Sequence, residues 1–374
     1  MRDWISAADA CQLLAISAAT LYSYVSRGWV RSRRKKDNWR TREYATDDVM
    51  RLLARKNARR DPEKHARETL KWGMPILESS ITRIADGMLL YRDVNVLTLA
   101  TESTFESAAR HLLQDKSLFN HDEPPPVPEM PPGLDAIQRM MFALLTMPGN
   151  MPFDQIVLIC GGALIGAPLY GEVAGALARA WNAQDDYLVD WLNMALILCM
   201  DHELNASTFA VRVAASTKTD MPRALMAGLA TLSGSRHGGA VNVVVDMLRQ
   251  YQGMPMLEIR ERLGRGEMIP GFGHPLYRDG DPRGWLLMRH LQDDAYDRMG
   301  VNRALVMMKT MRDLTGAEPN LDYALATLQL AGALPNDSAL GIFALGRMVG
   351  WMAHAFEQQA SGIMIRPRAK VDER

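Results

Sequence analysis

Apolar positions recur at helical spacing through most of this chain. From Leu134 onward, stretches such as LDAIQRMMFALL, EVAGALARAW and YLVDWLNMALIL carry an apolar residue every three or four positions, and period-2 alternation is nearly absent. The pattern predicts a mainly α body, helix after helix. Two segments interrupt it. The charged stretch DPEKHARETLKWGMP (61–75) reads as a linker or connecting helix. The Pro-rich HDEPPPVPEMPPG (121–133) cannot be helical, because proline lacks the N–H and clashes with the preceding turn.

The first sixty residues have a different rhythm. Residues 3–16 predict a short helix, with Ser6 as N-cap and Asp9 in the capping-box position. Ser17 caps a second helix, SAATLYSYVSRG, which Gly28 ends, and the turn at Ala15–Ser17 is tight. A basic ribbon, RSRRKKDNWRTREY, follows with a polar tip at Lys36–Asn38. Thr46 then caps TDDVMRLLARKNARR. Helix, turn, helix, basic hairpin, helix resembles the winged helix-turn-helix of MerR-like and excisionase-like DNA-binding proteins.

Charge sharpens this division. The 374 residues hold 43 Lys+Arg and 43 Asp+Glu, yet residues 1–60 carry 14 and 6 of them, a net +8 against −8 for the rest. A basic head on an acidic body points to a polyanion contact confined to the head. The face offered to a DNA groove would hold Ser17, Ala19, Thr20, Ser23 and Tyr24. Phosphate contacts would fall to Arg27, Arg31, Arg33, Arg34, Lys35, Lys36 and Arg40.

With 48% hydrophobic and 23% charged residues the chain is neither disordered nor collagen-like. Cys11, Cys160 and Cys199 are too few and scattered for a disulfide framework, which fits a reducing cytosol. The N-terminus has no signal-peptide core. The most apolar uncharged run, between Asp154 and Glu172, contains Gly161, Gly162, Gly166 and Pro168 and falls short of the ~20 residues a spanning helix needs. A cytoplasmic protein without a membrane partner is the expectation.

Three histidines stand in unusual company. DHELNASTF holds His202, Glu203 and Asn205; GSRHGGAVN sets His237 before two glycines; PGFGHPLYRDGDPR sets His274 after a Gly-X-Gly turn and Arg283 nine residues on. Glycines beside a histidine let backbone amides and the ring approach one ligand closely. Asp201-His202-Glu203 also invites a metal reading. If that stretch is helical, however, its side chains diverge by about 100° and cannot share an ion. No metal site is expected.

These stretches, with ILESSITRIADGMLLYRD, PNLDY, ALGRMVGWMAHAFEQ and RPR, resemble the citrate synthase family in order and spacing from about Leu77 to Arg368, most weakly over 110–190. The resemblance implies a two-domain helical fold: a large domain of 76–237 and 334–374, and a small one of 238–333 that closes on it. It implies acyl-CoA and oxaloacetate as substrates, citrate or 2-methylcitrate as product, a homodimer, and no cofactor. Asp322 matches the base that takes the α-proton of the thioester, His237 the donor to the enolate oxygen, and His274 the group that polarises the oxaloacetate carbonyl. His202 and Asn205 match oxaloacetate contacts. Arg283, Arg347 and Arg366 match carboxylate clamps, the last reaching across the dimer. Ile269, Gly271 and Gly273 match the CoA-binding segment, where turn amides at 238–239 and 271–273 can meet the enolate or CoA. Val241, Pro275 and Ala324 depart from the family's usual residues. A second reading makes the body a metabolite sensor for a DNA-binding regulator.

Overall fold

The computed structural model describes residues 4–35, 38–50, 52, 77–85, 87–120, 123–250, 255–277 and 279–367. It divides into two compact units, Met1–Glu78 and Ser79–Arg374.

In the first unit β1 (Trp4–Ser6) leads into α1 (Ala7–Leu14) and α2 (Ala18–Ser26), followed by β2 (Ser32–Lys35) and β3 (Asn38–Ala45). Residues 46–50 are helical. The helix predicted from residue 3 therefore begins later. Trp4 and Ile5 are β-favouring residues, and they find a partner edge on β3, with Trp4 opposite Ala45 and Ser6 opposite Glu43. Ser6 still caps α1, its hydroxyl accepting from the Asp9 N–H, and Ser17 caps α2 by accepting from Thr20. Ala15 takes the left-handed conformation at φ 46° to make the turn between the helices. The sheet order is β1-β3-β2, and Ala10, Leu14, Leu21, Val30, Tyr44 and Val49 close a small core beneath it.

The second unit opens with a sheet that periodicity did not reveal: β4 (Thr82–Ala85), β5 (Met88–Tyr91) and β6 (Val94–Asn95), antiparallel in that order. Its strands are too short to show alternation. α3 (Val96–Glu102) and α4 (Phe105–Leu113) follow, and the Pro-rich stretch is free of helix from 123 to 133. Next come α5 (Ala136–Thr146), α6 (Phe153–Ile165), α7 (Val173–Asn182) and α8 (Leu188–Cys199), then α9 (Ala206–Ser216) and α10 (Met221–Leu232). The chain continues through α11 (Ala240–Gln250), α12 (Pro255–Gly264), α13 (Pro282–Ala295), α14 (Met299–Thr315), α15 (Leu321–Ala331) and α16 (Ser338–Ser361). The apolar run read as buried core is α6, buried from Ile156 to Leu164.

α16 is the axis of the unit and packs on α8, α9 and α10, among others. By length and composition it could cross a membrane, but it is almost wholly enclosed by protein. Two glycines one turn apart let α8 come close. A Cβ on Gly346 would lie 2.5 Å from the Leu196 carbonyl oxygen, and one on Gly350 2.2 Å from that of Met200. The close packing sets Arg347, on the same helix, against the end of α8.

Candidate active site

Besides the loop of His274 and Tyr277, the turn of His237 and α16 with Arg347, four segments build a cleft in the second unit, and three of them are helix starts. Asn205, Asp281 and Asn320 are the N-caps of α9, α13 and α15, accepting from the backbone N–H of Thr208, Arg283 and Tyr323 respectively. The fourth is the turn after α8, where Tyr91 fixes the backbone: its hydroxyl accepts from the Asp201 N–H at 3.0 Å and can donate to Asp201 O or Ile197 O. Residues 201–205 are not helical, so the divergence argued for a helix does not apply there. Among the described residues no group of three or more His, Cys, Asp or Glu side chains gathers to hold a metal ion.

His202, His274 and Tyr277 form a triangle of rings. The His202 and His274 centroids lie 5.0 Å apart, and Tyr277 sits 5.6 and 5.1 Å from them. His202 Nε2 is 2.8 Å from the Tyr277 hydroxyl. The Leu276 N–H donates to His274 Nδ1 at 3.2 Å, so that nitrogen must accept and the ring carries its proton on Nε2. Burial, with the field of Arg283, pushes His274 down to about 4. Burial and Arg283 likewise hold His202 well below the ordinary histidine range. Both rings are neutral donors or acceptors near neutral pH.

The Arg283 guanidinium is buried and lies 5.8 Å from the Tyr277 ring centre. Asp281 grips it twice, Oδ1 accepting from Nε at 2.9 Å and Oδ2 from Nη2 at 2.8 Å. Asp281 Oδ2 also accepts from the Leu321 N–H at 3.3 Å, joining the starts of α13 and α15. Arg347, buried to 1% exposure, donates from Nε to the Cys199 carbonyl at 2.7 Å and lies 4.9 Å from the Phe343 ring centre. The other face of the cluster belongs to His237, whose ring stands edge-on to Phe343 at 6.4 Å. Its Nε2 is 2.8 Å from Ser207 Oγ, which donates to Asn205 Oδ1 at 2.7 Å. With its one proton so engaged, Ser207 accepts from His237; a turn of that hydroxyl would move the ring proton to Nδ1. Burial, then Arg347, pushes His237 down to about 4.

Asp322 stands in the first turn of α15, within the fields of Arg283, Arg347 and Asp281. No described side chain donates a hydrogen bond to its carboxylate. Burial raises it to about 7 against the lowering pull of the two arginines. A helix start ordinarily favours a carboxylate, so desolvation outweighs the dipole here.

The other expected site residues fall as follows. Arg366 is exposed on the segment after α16 and makes no ion pair among the described residues. Ile269 is buried. Gly271 and Gly273 take positive φ of 86° and 73°. The amides expected to face the ligand are partly engaged elsewhere: Gly239 N–H donates to Leu232 O and Gly273 N–H to Glu318 O. The turn therefore offers shape there, and those two donors are internal. Sequence reasoning missed Tyr277, Ser207 and Asp281. Asp281 did have a signal, since Asp-Pro-Arg places a capping residue just before a proline suited to the first helical turn.

In the head, Arg31 is bound to the buried Asp48 at 2.9 Å, and Arg33 pairs with Glu43 at 3.1 Å while lying 4.3 Å from the Trp4 ring centre. Both side chains nevertheless stay largely exposed, 67% for Arg31 and 47% for Arg33. Arg27 lies 5.3 Å from the Trp29 ring centre, and Arg34 and Lys35 are exposed on β2. Lys36 and the side chain of Arg40 lie outside the described residues.

The family model for the citrate synthase C-terminal domain matches residues 159–368, more than half of the chain. The chain belongs to the citrate synthase family. A citrate synthase from Haloferax volcanii is 36% identical over 192 residues, 50% of this chain and 51% of that protein. A 2-methylcitrate synthase from Mycobacterium tuberculosis is 35% identical over 185 residues, 48% of this chain and 47% of that protein. The chain thus spans about half the length of the curated relatives it matches. Among solved structures, a Thermotoga maritima citrate synthase superposes with a TM-score of 0.69 at 26% identity, covering 80% of this chain and 94% of that one. A Thermoplasma acidophilum citrate synthase, solved as a ternary complex with carboxymethyl coenzyme A and oxaloacetate, shares the fold at 22% identity and a TM-score of 0.63. Every cleft residue from His202 to Arg347, and Arg366 too, lies within the span matched by the citrate synthase family model.

Proposed function

We propose that the body condenses a short acyl-CoA, acetyl- or propionyl-CoA, with oxaloacetate to give citrate or 2-methylcitrate and free CoA. The observation that carries this reading is a carboxyl raised to about 7 within the field of two buried arginines, one of which also acts on His237 and the other on His274. Arg283 and Arg347 take the carboxylates of the acceptor, for which forked guanidinium groups are suited. His202 and Asn205 complete that side. Asp322 removes a proton from the thioester α-carbon. With the Ser207 hydroxyl turned to donate to its Nε2, His237 donates from Nδ1 to the oxygen on which enolate charge develops, a contribution worth ~3–4 kcal/mol for such a donor. The α-carbon bonds to the acceptor carbonyl carbon, and His274 passes its Nε2 proton to the carbonyl oxygen. Water then cleaves the thioester and releases CoA.

An ordinary carboxylate near pKa 4 is a weak base for a carbon acid; one near 7 is about a thousandfold more basic and still half ionised at neutral pH. In this reading 238–333 closes on 76–237 and 334–374, with Ile269, Gly271 and Gly273 beside CoA, and Arg366 serves the cleft of a second copy. The test is CoA release from acetyl-CoA and from propionyl-CoA, each with and without oxaloacetate. Release that depends on oxaloacetate supports the reading. None with either thioester, or release indifferent to oxaloacetate, contradicts it.

The element order of the head supports a winged helix-turn-helix that contacts DNA through Arg27, Arg34, Lys35 and the ribbon. Arg31 and Arg33 keep most or half of their side chains exposed beside their ion pairs, and about three to four cations per head would neutralise phosphates. Two heads would then give a slope of log K against log[salt] of about −5 to −7. Filter binding of genomic fragments between 50 and 200 mM salt measures it, and no retention at 50 mM rules the contact out.

A further inference from the structure

Beneath the His202 turn lies a buried polar chain to which the proposed chemistry assigns nothing. The Asp201 carboxylate, with 0% exposure, accepts from His354 Nε2 at 3.1 Å. His354, on α16 and 1% exposed, accepts at Nδ1 from Arg212 Nε on α9 at 3.0 Å. Arg212, 2% exposed, reaches on to Gln358 Oε1 at 3.1 Å and to the Glu357 carboxylate. Glu357 in turn accepts from the Ser80 N–H at 2.7 Å. An arginine Nε–H can only donate, so His354 Nδ1 must accept and the imidazole proton sits on Nε2, aimed at Asp201.

Burying a carboxylate and a guanidinium is expensive, and replacing such a network with apolar side chains is often neutral or stabilising. Stability alone therefore does not account for it. Its position does suggest a use. Asp201 precedes His202, Tyr91 clamps its backbone, and its charge acts on Arg347. Its second oxygen, Oδ1, is buried, and the Thr82 hydroxyl also helps to lower the carboxyl. A Cβ on Gly350 would lie 2.8 Å from that oxygen, so α16 leaves room for the carboxylate. Burial would raise the Asp201 carboxyl, yet His354 and Arg347 keep it below the ordinary value.

We infer that His354 is a positioning residue for the 2-oxo acid side of the cleft. Held in one tautomer by Arg212, it anchors Asp201, which in turn fixes the backbone of His202 and the place of Arg347. The inference rests on the condensation reading for the identity of that acid.

The test compares full-length wild type, His354→Leu and His354→Gln. The glutamine amide can accept from Arg212 and donate to Asp201, whereas leucine can do neither. His354→Leu should raise the oxaloacetate KM about tenfold, the low end for losing a hydrogen bond to a charged group, while the acyl-CoA KM stays within about twofold. His354→Gln should bring the oxaloacetate KM back to within about threefold of wild type. A general loosening would move both KM values together. Nitrogen-15 spectra of the wild-type histidines add a reading independent of whether the leucine variant folds: His354, identified by its loss in His354→Gln, should be protonated on Nε2 alone. A wild type that releases no CoA with oxaloacetate overturns the condensation reading and the substrate named here. An active wild type whose folded His354→Leu variant keeps its oxaloacetate KM, or a His354 protonated on Nδ1, overturns the positioning role alone.

Discussion

Asp281 and Asp322 are the same side chain in two helix starts that meet at one cleft, and their chemistry is opposite. Asp281 caps α13, holds Arg283 through two hydrogen bonds and accepts from the Leu321 N–H. Despite burial, Arg283 keeps it ionised below the ordinary aspartate range. Asp322 sits one residue past Leu321 and has no such donor. Burial pushes it up to about 7 in spite of the same arginine. The difference is geometric. Arg283 has its fork turned to Asp281, so Asp322 receives only the field and none of the hydrogen bonds. One carboxylate is thereby a fixed counter-ion, and the other remains a base able to gain and lose a proton near neutral pH.

The contrast can be broken most forcefully at Asp322. Asp322→Ala should lower kcat by ~10²–10⁴, the usual worth of a positioned general base, with the oxaloacetate affinity nearly unchanged. Steady-state kinetics and calorimetry with oxaloacetate check the two halves of that statement. Asp281→Ala should act the other way, on the fold first. It strands the buried Arg283, and breaking such a pair costs ~3–5 kcal/mol, readable as a lower denaturation midpoint.

A smaller effect sharpens the comparison. Because Asp322 binds its proton more tightly folded than unfolded, its contribution to stability is full below about pH 4 and is lost as pH rises through about 7. Asp322→Asn removes that loss. The variant should be more stable than wild type by roughly 4 kcal/mol at pH 8, with the gain shrinking towards pH 4. Denaturant titrations at four or five pH values give the curve. A gain that does not depend on pH would place the origin elsewhere than in the proton.

His237 and His274 were legible because glycines flank them, with Arg283 nine residues beyond His274, whereas Asp322, Arg347 and Arg366 were legible only through the resemblance to citrate synthase. Their partners were harder to see. Nothing in the chain says that Tyr277 meets His202 seventy-five residues away, or that Ser207 faces His237. The β4–β6 sheet escaped because strands of four, four and two residues are too short for a period. In the head, Trp4 and Ile5 were read into a helix because local capping signals do not report a distant strand edge. The acids that pair with Arg31 and Arg33 were not legible because they lie seventeen and ten residues on, one after the hairpin and one across it.

The central claim is that Asp322 is the base and that it titrates near neutrality while the histidines around it stay neutral. The pH dependence of kcat/KM for the acyl-CoA, measured from pH 5 to 8.5 at saturating oxaloacetate, tests it directly. A single ionisation near 7 is expected, with the rate falling about tenfold per pH unit below it. His237 and His274, both pushed to about 4, should leave no second step above pH 5. A profile flat down to pH 5, or one that keeps its step near 7 in Asp322→Ala, would contradict the account.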